Sequence, residues 1–140
     1  MNKYLQLKEK HRKEFDKFPM FFAFNLKQFA EGMKKLDLTE NDTDKICSFG
    51  NTGGYFKKSD SKILDEILNR HKKERDEALR DDEYLYQAIL YELRNYEYII
   101  TYDIEPTLKA IGLTIDDLNN ERISKIFKQA KADYLKLHKE

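Results

Sequence analysis

An intrachain disulfide is excluded at the outset, because the 140-residue chain has a single cysteine, Cys47, set in the apolar run ICSF. Two prolines and five glycines leave no stretch loose enough to serve as an interdomain linker. A chain of this length can bury a core without a metal or a disulfide, so one compact domain over residues 1–140 is expected. Neither sign of charge dominates: 26 Lys and Arg balance 26 Asp and Glu. No overall field therefore draws the chain to a membrane or to nucleic acid, and partners must be met by local patches. No apolar run approaches the roughly 20 residues of a membrane span. The stretch MNKYLQLKEKHRKEF carries charge where a signal peptide needs an apolar centre, and the expected location is the cytoplasm.

Recognised catalytic patterns are missing as well. His11, His71 and His138 are too far apart in sequence for two imidazoles to share a helix face, so no metal site is expected and no cofactor is implied. No G-x-S-x-G signature is present, and Asp81–Asp82 and Asp116–Asp117 stand where helices begin, so capping and the helix dipole account for them. An enzyme is not expected. The nearest approach to a phosphate loop is SFGNTGGYFKKSDS, residues 48–61, which holds three of the five glycines. A P-loop needs G-x-x-x-x-G-K-[ST], whereas here Tyr55 stands where the second glycine should, and an apolar pair separates the glycines from Lys57 and Lys58. Gly53 and Gly54 suit a hairpin turn that needs positive φ. The alternative is a small phosphorylated ligand, such as a nucleotide signal, held by Gly53, Gly54, Lys57 and Lys58.

What is present alternates between helical and strand patterns. Tyr4, Leu7, His11, Phe15 and Phe18 recur at helical spacing up to Pro19. MFFAF, residues 20–24, is an aromatic strand ending at Asn25, a cap for a helix lined by Leu26, Phe29, Ala30 and Met33. Gly32 inside that helix costs about 1 kcal/mol relative to alanine. Residues 45–57 read as a hairpin, and a helix with Ile63, Leu64, Ile67 and Leu68 on its docked face follows. Asp81 or Asp82 caps the next helix, YIITYD near 98–102 has strand composition, and the last helix carries Ile123, Ile126, Phe127, Ala130, Tyr134 and Leu137 on one stripe. MKKLDLTEND (33–42) echoes LKAIGLTIDD (108–117), each with a threonine, Thr39 or Thr114, three residues before an acid, Asp42 or Asp117. The fold class is α+β: a small antiparallel sheet, made of the 45–57 hairpin and strands near 20–24 and 98–102, packed with four to six helices.

Two regions are chemically uneven. The last helix bears Lys125, Lys128, Lys131, Lys136 and Lys139, diluted by Asp133 and Glu140, which is an ordinary soluble face rather than a nucleic-acid interface. Residues 81–106 hold seven acids, one base (Arg94) and six of the nine tyrosines. Leu85, Ile89, Leu93 and Tyr96 form one stripe, Tyr84, Ala88 and Tyr91 a second, Tyr86 and Leu90 a third. Such a helix is either enclosed by its own domain or exposes a tyrosine-rich patch. The second reading makes Tyr84, Tyr86, Tyr91 and Tyr98 a protein-binding face rimmed by Glu83, Glu92 and Glu97 and suited to a basic partner.

The stretch KHRKEFDKFPMFFAFNLKQFAEGMKKLDLTENDTDKI, the GGYFKKSDS hairpin and AIGLTIDDLN together resemble a family of small uncharacterised proteins carried by bacterial viruses and mobile elements of low-GC Gram-positive bacteria. The resemblance spans roughly residues 8 to 120 and carries no functional residue with it. It implies a non-enzymatic accessory protein in the cytoplasm of a host cell. The role it implies is binding and disabling a host protein, such as a nuclease or nucleoprotein of a CRISPR-Cas-type antiviral defence, with a basic surface on the partner.

Overall fold

The computed structural model describes residues 1–138. In chain order the elements are α1 (Lys3–Asp16), β1 (Phe21–Phe22), α2 (Leu26–Lys35), β2 (Ile46–Phe49), β3 (Gly54–Lys57), α3 (Ser61–Ala78), α4 (Asp82–Asn95), α5 (Tyr98–Thr101), α6 (Glu105–Ala110) and α7 (Glu121–Leu137). Short 3-10 turns cover Thr43–Lys45, Lys58–Asp60 and Ile115–Asn119. This is an α+β fold with a three-stranded antiparallel sheet in the order β1-β3-β2. Its elements fall into two compact units: one is His11–His71, the other Met1–Lys10 together with the chain from Lys72 onward.

The His11–His71 unit is built around the sheet. Phe21 pairs with Tyr55 and Phe22 with Gly54, while β2 and β3 run from Ile46 opposite Lys57 to Phe49 opposite Gly54. Alternation sends Phe21, Ile46 and Tyr55 to one face, where α2 covers them with Phe29, Met33 and Leu36. Phe56 and Phe49 point the other way, onto Phe15, Phe18 and Leu64. Asn25 caps α2 by accepting from the Gln28 N–H at 2.8 Å. The structure supplies the reason for Gly32: a Cβ there would lie 2.0–2.5 Å from ring carbons of Phe21, so the glycine lets a strand aromatic lie against the helix backbone.

His11 and His71, both buried, stack at 3.9 Å between ring centroids. Glu14 receives a His71 ring nitrogen at 3.2 Å and is clamped by both Arg70 terminal nitrogens. The Arg70 guanidinium first, and His71 after it, hold the Glu14 carboxyl down to about 2 against the opposing effect of desolvation.

In the other unit α4 is the central element. Leu85, Ala88, Ile89 and Leu93 are fully buried, and α7 covers them with Phe127, Ala130 and Tyr134. Leu108, Ile111 and Leu113, from α6 and the turn after it, close another side. Asp81 caps α4, accepting from the Tyr84 N–H at 3.0 Å and from Lys3 Nζ at 2.8 Å.

Two expectations need correction. Residues 98–102 are not a strand: α5 is one helical turn bracketed by left-handed residues, Glu97 at φ 49° and Tyr102 at φ 55°. Aromatic and β-branched composition signalled a strand, but the Ile99 N–H goes to the Tyr134 hydroxyl at 2.9 Å instead of a sheet neighbour, and Tyr98 packs into the core. The helices among the described residues also number seven rather than four to six, because α5 and α6 are too short to show periodicity. Both threonine–aspartate echoes form the same turn. Thr39 and Thr114 each donate N–H to the carboxylate three residues on, Asp42 at 2.8 Å and Asp117 at 2.7 Å.

Two measurements check these packing arguments. Gly32→Ala gains about 1 kcal/mol of helix propensity but overpacks Phe21 at a cost of about 1–3 kcal/mol, so urea denaturation is expected to show a net loss of stability. The Glu14 carboxyl sits lower in the folded chain than its ordinary value, so its contribution is complete above about pH 4.5 and is lost as pH falls toward 2. Thermal melts across that window should fall more steeply for the native chain than for Glu14→Gln; equal slopes would refute the clamp.

Candidate protein-binding groove

The aromatic, acidic stretch 81–106 does not present the face that its sequence pattern describes. Tyr84 and Tyr98 are 4% and 6% exposed, inside the core. Tyr84 meets Tyr4 edge-on at 5.6 Å, and Tyr98 meets Tyr134 at 6.0 Å with Lys131 Nζ over its ring at 5.5 Å. Glu92 is 1% exposed and belongs to no rim: it accepts from the Tyr4 hydroxyl at 3.2 Å and from Asn95 Nδ2 at 3.1 Å. Burial, and then this carboxylate, push the Tyr4 hydroxyl's ionisation well above its ordinary range.

Tyr86 and Tyr91 are half-buried. The Tyr86 hydroxyl donates to Asp133 Oδ2 at 2.5 Å, and that bond, with burial second, raises its pKa to about 12. Tyr91 packs beside Tyr4 at 5.8 Å under Lys8 Nζ. Glu83 is exposed and paired with Lys3 at 3.3 Å, and Glu97 is exposed. The proposed face is therefore divided: Tyr84, Tyr98 and Glu92 serve the core, while Tyr86 and Tyr91 are half-buried and Glu83 and Glu97 are exposed.

The hairpin is likewise occupied with its own turn. Gly53 has φ 80° and its carbonyl accepts from the Ala23 N–H at 2.9 Å, while the Gly54 N–H donates to Thr52 Oγ1 at 3.1 Å. Lys57 is half-buried and Lys58 exposed. Cys47 is half-buried on the sheet. Among the described residues no group of three or more His, Cys, Asp and Glu is arranged to hold a metal, and no helix is long and apolar enough to cross a membrane. Lys125, Lys128 and Lys136 of α7 are exposed and Lys131 half-buried; Lys139 and Glu140 lie outside the described residues.

Of the exposed apolar residues of the stretch, Ile100 and Tyr102 stand on and after α5, while Tyr96 borders a depression where α4 ends and α6 begins. A groove of about 1020 Å³ is floored by Leu108 and Leu113, with Tyr96 and Ile115, 41% and 49% exposed, on its walls. Asp103, Glu105 and Asp116 stand on its rim, with Lys109 the one base in the lining.

Local chemistry fixes this shape. Asp103 Oδ1 accepts from the Glu105 N–H at 3.0 Å, and Pro106 opens α6 where no N–H is needed. Gly112, at φ 85°, ends α6, the Leu113 N–H returns to the Leu108 carbonyl at 2.8 Å, and Leu113 turns inward. Asp117 then ties back to Thr114, so Ile115 and Asp116 are carried outward on the following 3-10 turn. The sequence signal for this site was the capped echo itself, with an isoleucine between the capping threonine and its acids.

No curated protein and no solved structure matches the chain. The model of a family described as a family of unknown function (DUF7659) matches residues 3–133, and the chain belongs to that family.

Proposed function

We propose that this chain is a protein-binding module that takes an apolar, Lys- or Arg-bearing segment of a partner into the groove beside α6. One observation carries the reading: a concave apolar floor with a half-exposed tyrosine and isoleucine, rimmed by three carboxylates against a single lysine. Apolar floors supply affinity once water is excluded, and aromatic residues at such positions are the usual hot spots. The carboxylates steer a basic partner and discourage an acidic one.

Of the five remaining acids of the stretch, Glu97 is exposed beside the groove residue Tyr96, Glu92 is buried, and the other three add little to this field. Asp81 and Glu83 are paired with Lys3, and Asp82 is bound by Arg122 Nε at 2.6 Å. Attraction is thereby concentrated at the groove. The setting suggested by the sequence resemblance, a viral or mobile-element protein that disables a host defence nuclease or nucleoprotein, supplies a partner of the required charge.

Capture from bacterial lysate followed by mass spectrometry tests the reading through its variants. The native chain is expected to retain a basic protein, and Tyr96→Ala to weaken that complex by about 2 kcal/mol with the melting temperature nearly unchanged. Asp103→Asn with Glu105→Gln should slow association and flatten its salt dependence. Tyr86→Ala, away from the groove, should leave capture intact. A captured protein indifferent to Tyr96→Ala and Ile115→Lys would sink the proposal.

A further inference from the structure

A second exposed apolar cluster lies in the His11–His71 unit. Phe22, Phe24 and Leu26 are 54%, 76% and 87% exposed, rising along the turn from β1 into α2. Three large apolar side chains held in water over five residues mark an interaction site rather than ordinary surface. The turn is rigid. Asn25 caps α2, and the Phe24 N–H is closed by Gln28 Oε1 at 2.8 Å. That bond also consumes an edge donor, so β1 offers side chains to a partner more than backbone. The exposed charge of the adjoining helix is net positive: α2 exposes Lys27, Lys34 and Lys35 against Glu31, and Lys35 and Glu31 both border the depression that Phe22 and Phe24 line.

The chain thus carries two exposed apolar sites of opposite rim charge. We propose that the Phe22–Leu26 turn of one copy seats in the α6 groove of a second copy, with the α2 lysines facing Asp103, Glu105 and Asp116. This rests on the reading of the groove as a receptor for a basic apolar segment, and it names that segment. The like-with-like alternatives are disfavoured, because turn against turn opposes lysines and groove against groove opposes carboxylates. The contact is heterologous, joining different surfaces of the two copies. Self-association therefore fills the groove and competes with any other partner.

Sedimentation of the native chain, and of two variants alone and mixed, tests this. The native mass should rise with concentration, and the association should weaken as salt shortens the screening length. Phe24→Asp with Leu26→Asp destroys the turn site, and Ile115→Lys destroys the groove. Each alone should associate at least about tenfold more weakly than the native chain. Mixed in equal amounts they should form a 1:1 complex within about threefold of the native affinity, because each keeps the site the other lacks.

Should Ile115→Lys fail to fold, Asp116→Lys on the same rim replaces it. A native chain that stays monomeric to about 1 mM, variants that associate as the native chain does, or a mixture without a complex would each overturn the proposal. If self-association fails while Ile115→Lys still abolishes capture of a basic protein, the groove reading survives alone; if Ile115→Lys alters neither, both fall.

Discussion

A carboxylate buried in the last turn of α4, that of Glu92, anchors the elements around the groove. Glu92 holds the Tyr4 hydroxyl with one oxygen and Asn95 with the other, and its backbone carbonyl accepts from Thr107 Oγ1 at 3.3 Å. Burying a carboxylate is costly unless its oxygens are satisfied. The start of α1 must therefore sit where the Tyr4 hydroxyl reaches the carboxylate, and the separate Thr107 bond to the Glu92 backbone carbonyl ties the middle of α6 to the same turn. Thr107 is fully buried, which fixes the rotation of α6 and with it which of its residues face out. Leu108 becomes floor, while Glu105 and Lys109 become rim. A network of this kind tolerates few alternative packings, because every misplacement leaves a buried polar atom without a partner.

That same carboxylate shows where sequence reasoning fails. In sequence Glu92 is one acid among seven and looks like part of a charged rim. Its partners lie 88 residues away in Tyr4 and 15 away in Thr107, and nothing local announces them. The tyrosines mislead for a related reason. Three adjacent apolar stripes on α4 are compatible with an exposed patch or with enclosure, and only the positions of α6, α7 and Tyr4 decide between them. Local chemistry, by contrast, was readable. The hairpin, the aromatic strand before Asn25 and the Asn25 and Asp81 caps all follow from side chains acting within a few residues.

The capped echo lies between these two cases. Its hydrogen bonds recur in both copies: Leu38 and Leu113 donate to Met33 and Leu108 at 2.8 Å each, and Asp37 and Gly112 both adopt positive φ. The local pattern therefore specifies a turn, and both units use it. What it does not specify is what the turn displays. The residue after the capping threonine is Glu40 in the first copy and Ile115 in the second, both exposed. One turn thus presents a charge to water and the other an apolar side chain to the groove.

Stability and binding make different demands on that position. A glutamate there is easily accommodated, whereas an isoleucine 49% exposed leaves about half of its apolar surface in water. The same holds for Tyr96, left 41% exposed at the end of a helix whose other tyrosines are buried or half-buried. Scattered singly, such residues would need no explanation. Here they flank a shared depression whose floor is apolar and whose rim is acidic, so a single partner seated there, as proposed, would contact both at once and desolvate them together. The α6 turn is therefore where the fold's internal constraints, set by Glu92 and Thr107, are converted into an external surface. Any change that rotates α6 alters that surface even if it touches none of the lining residues.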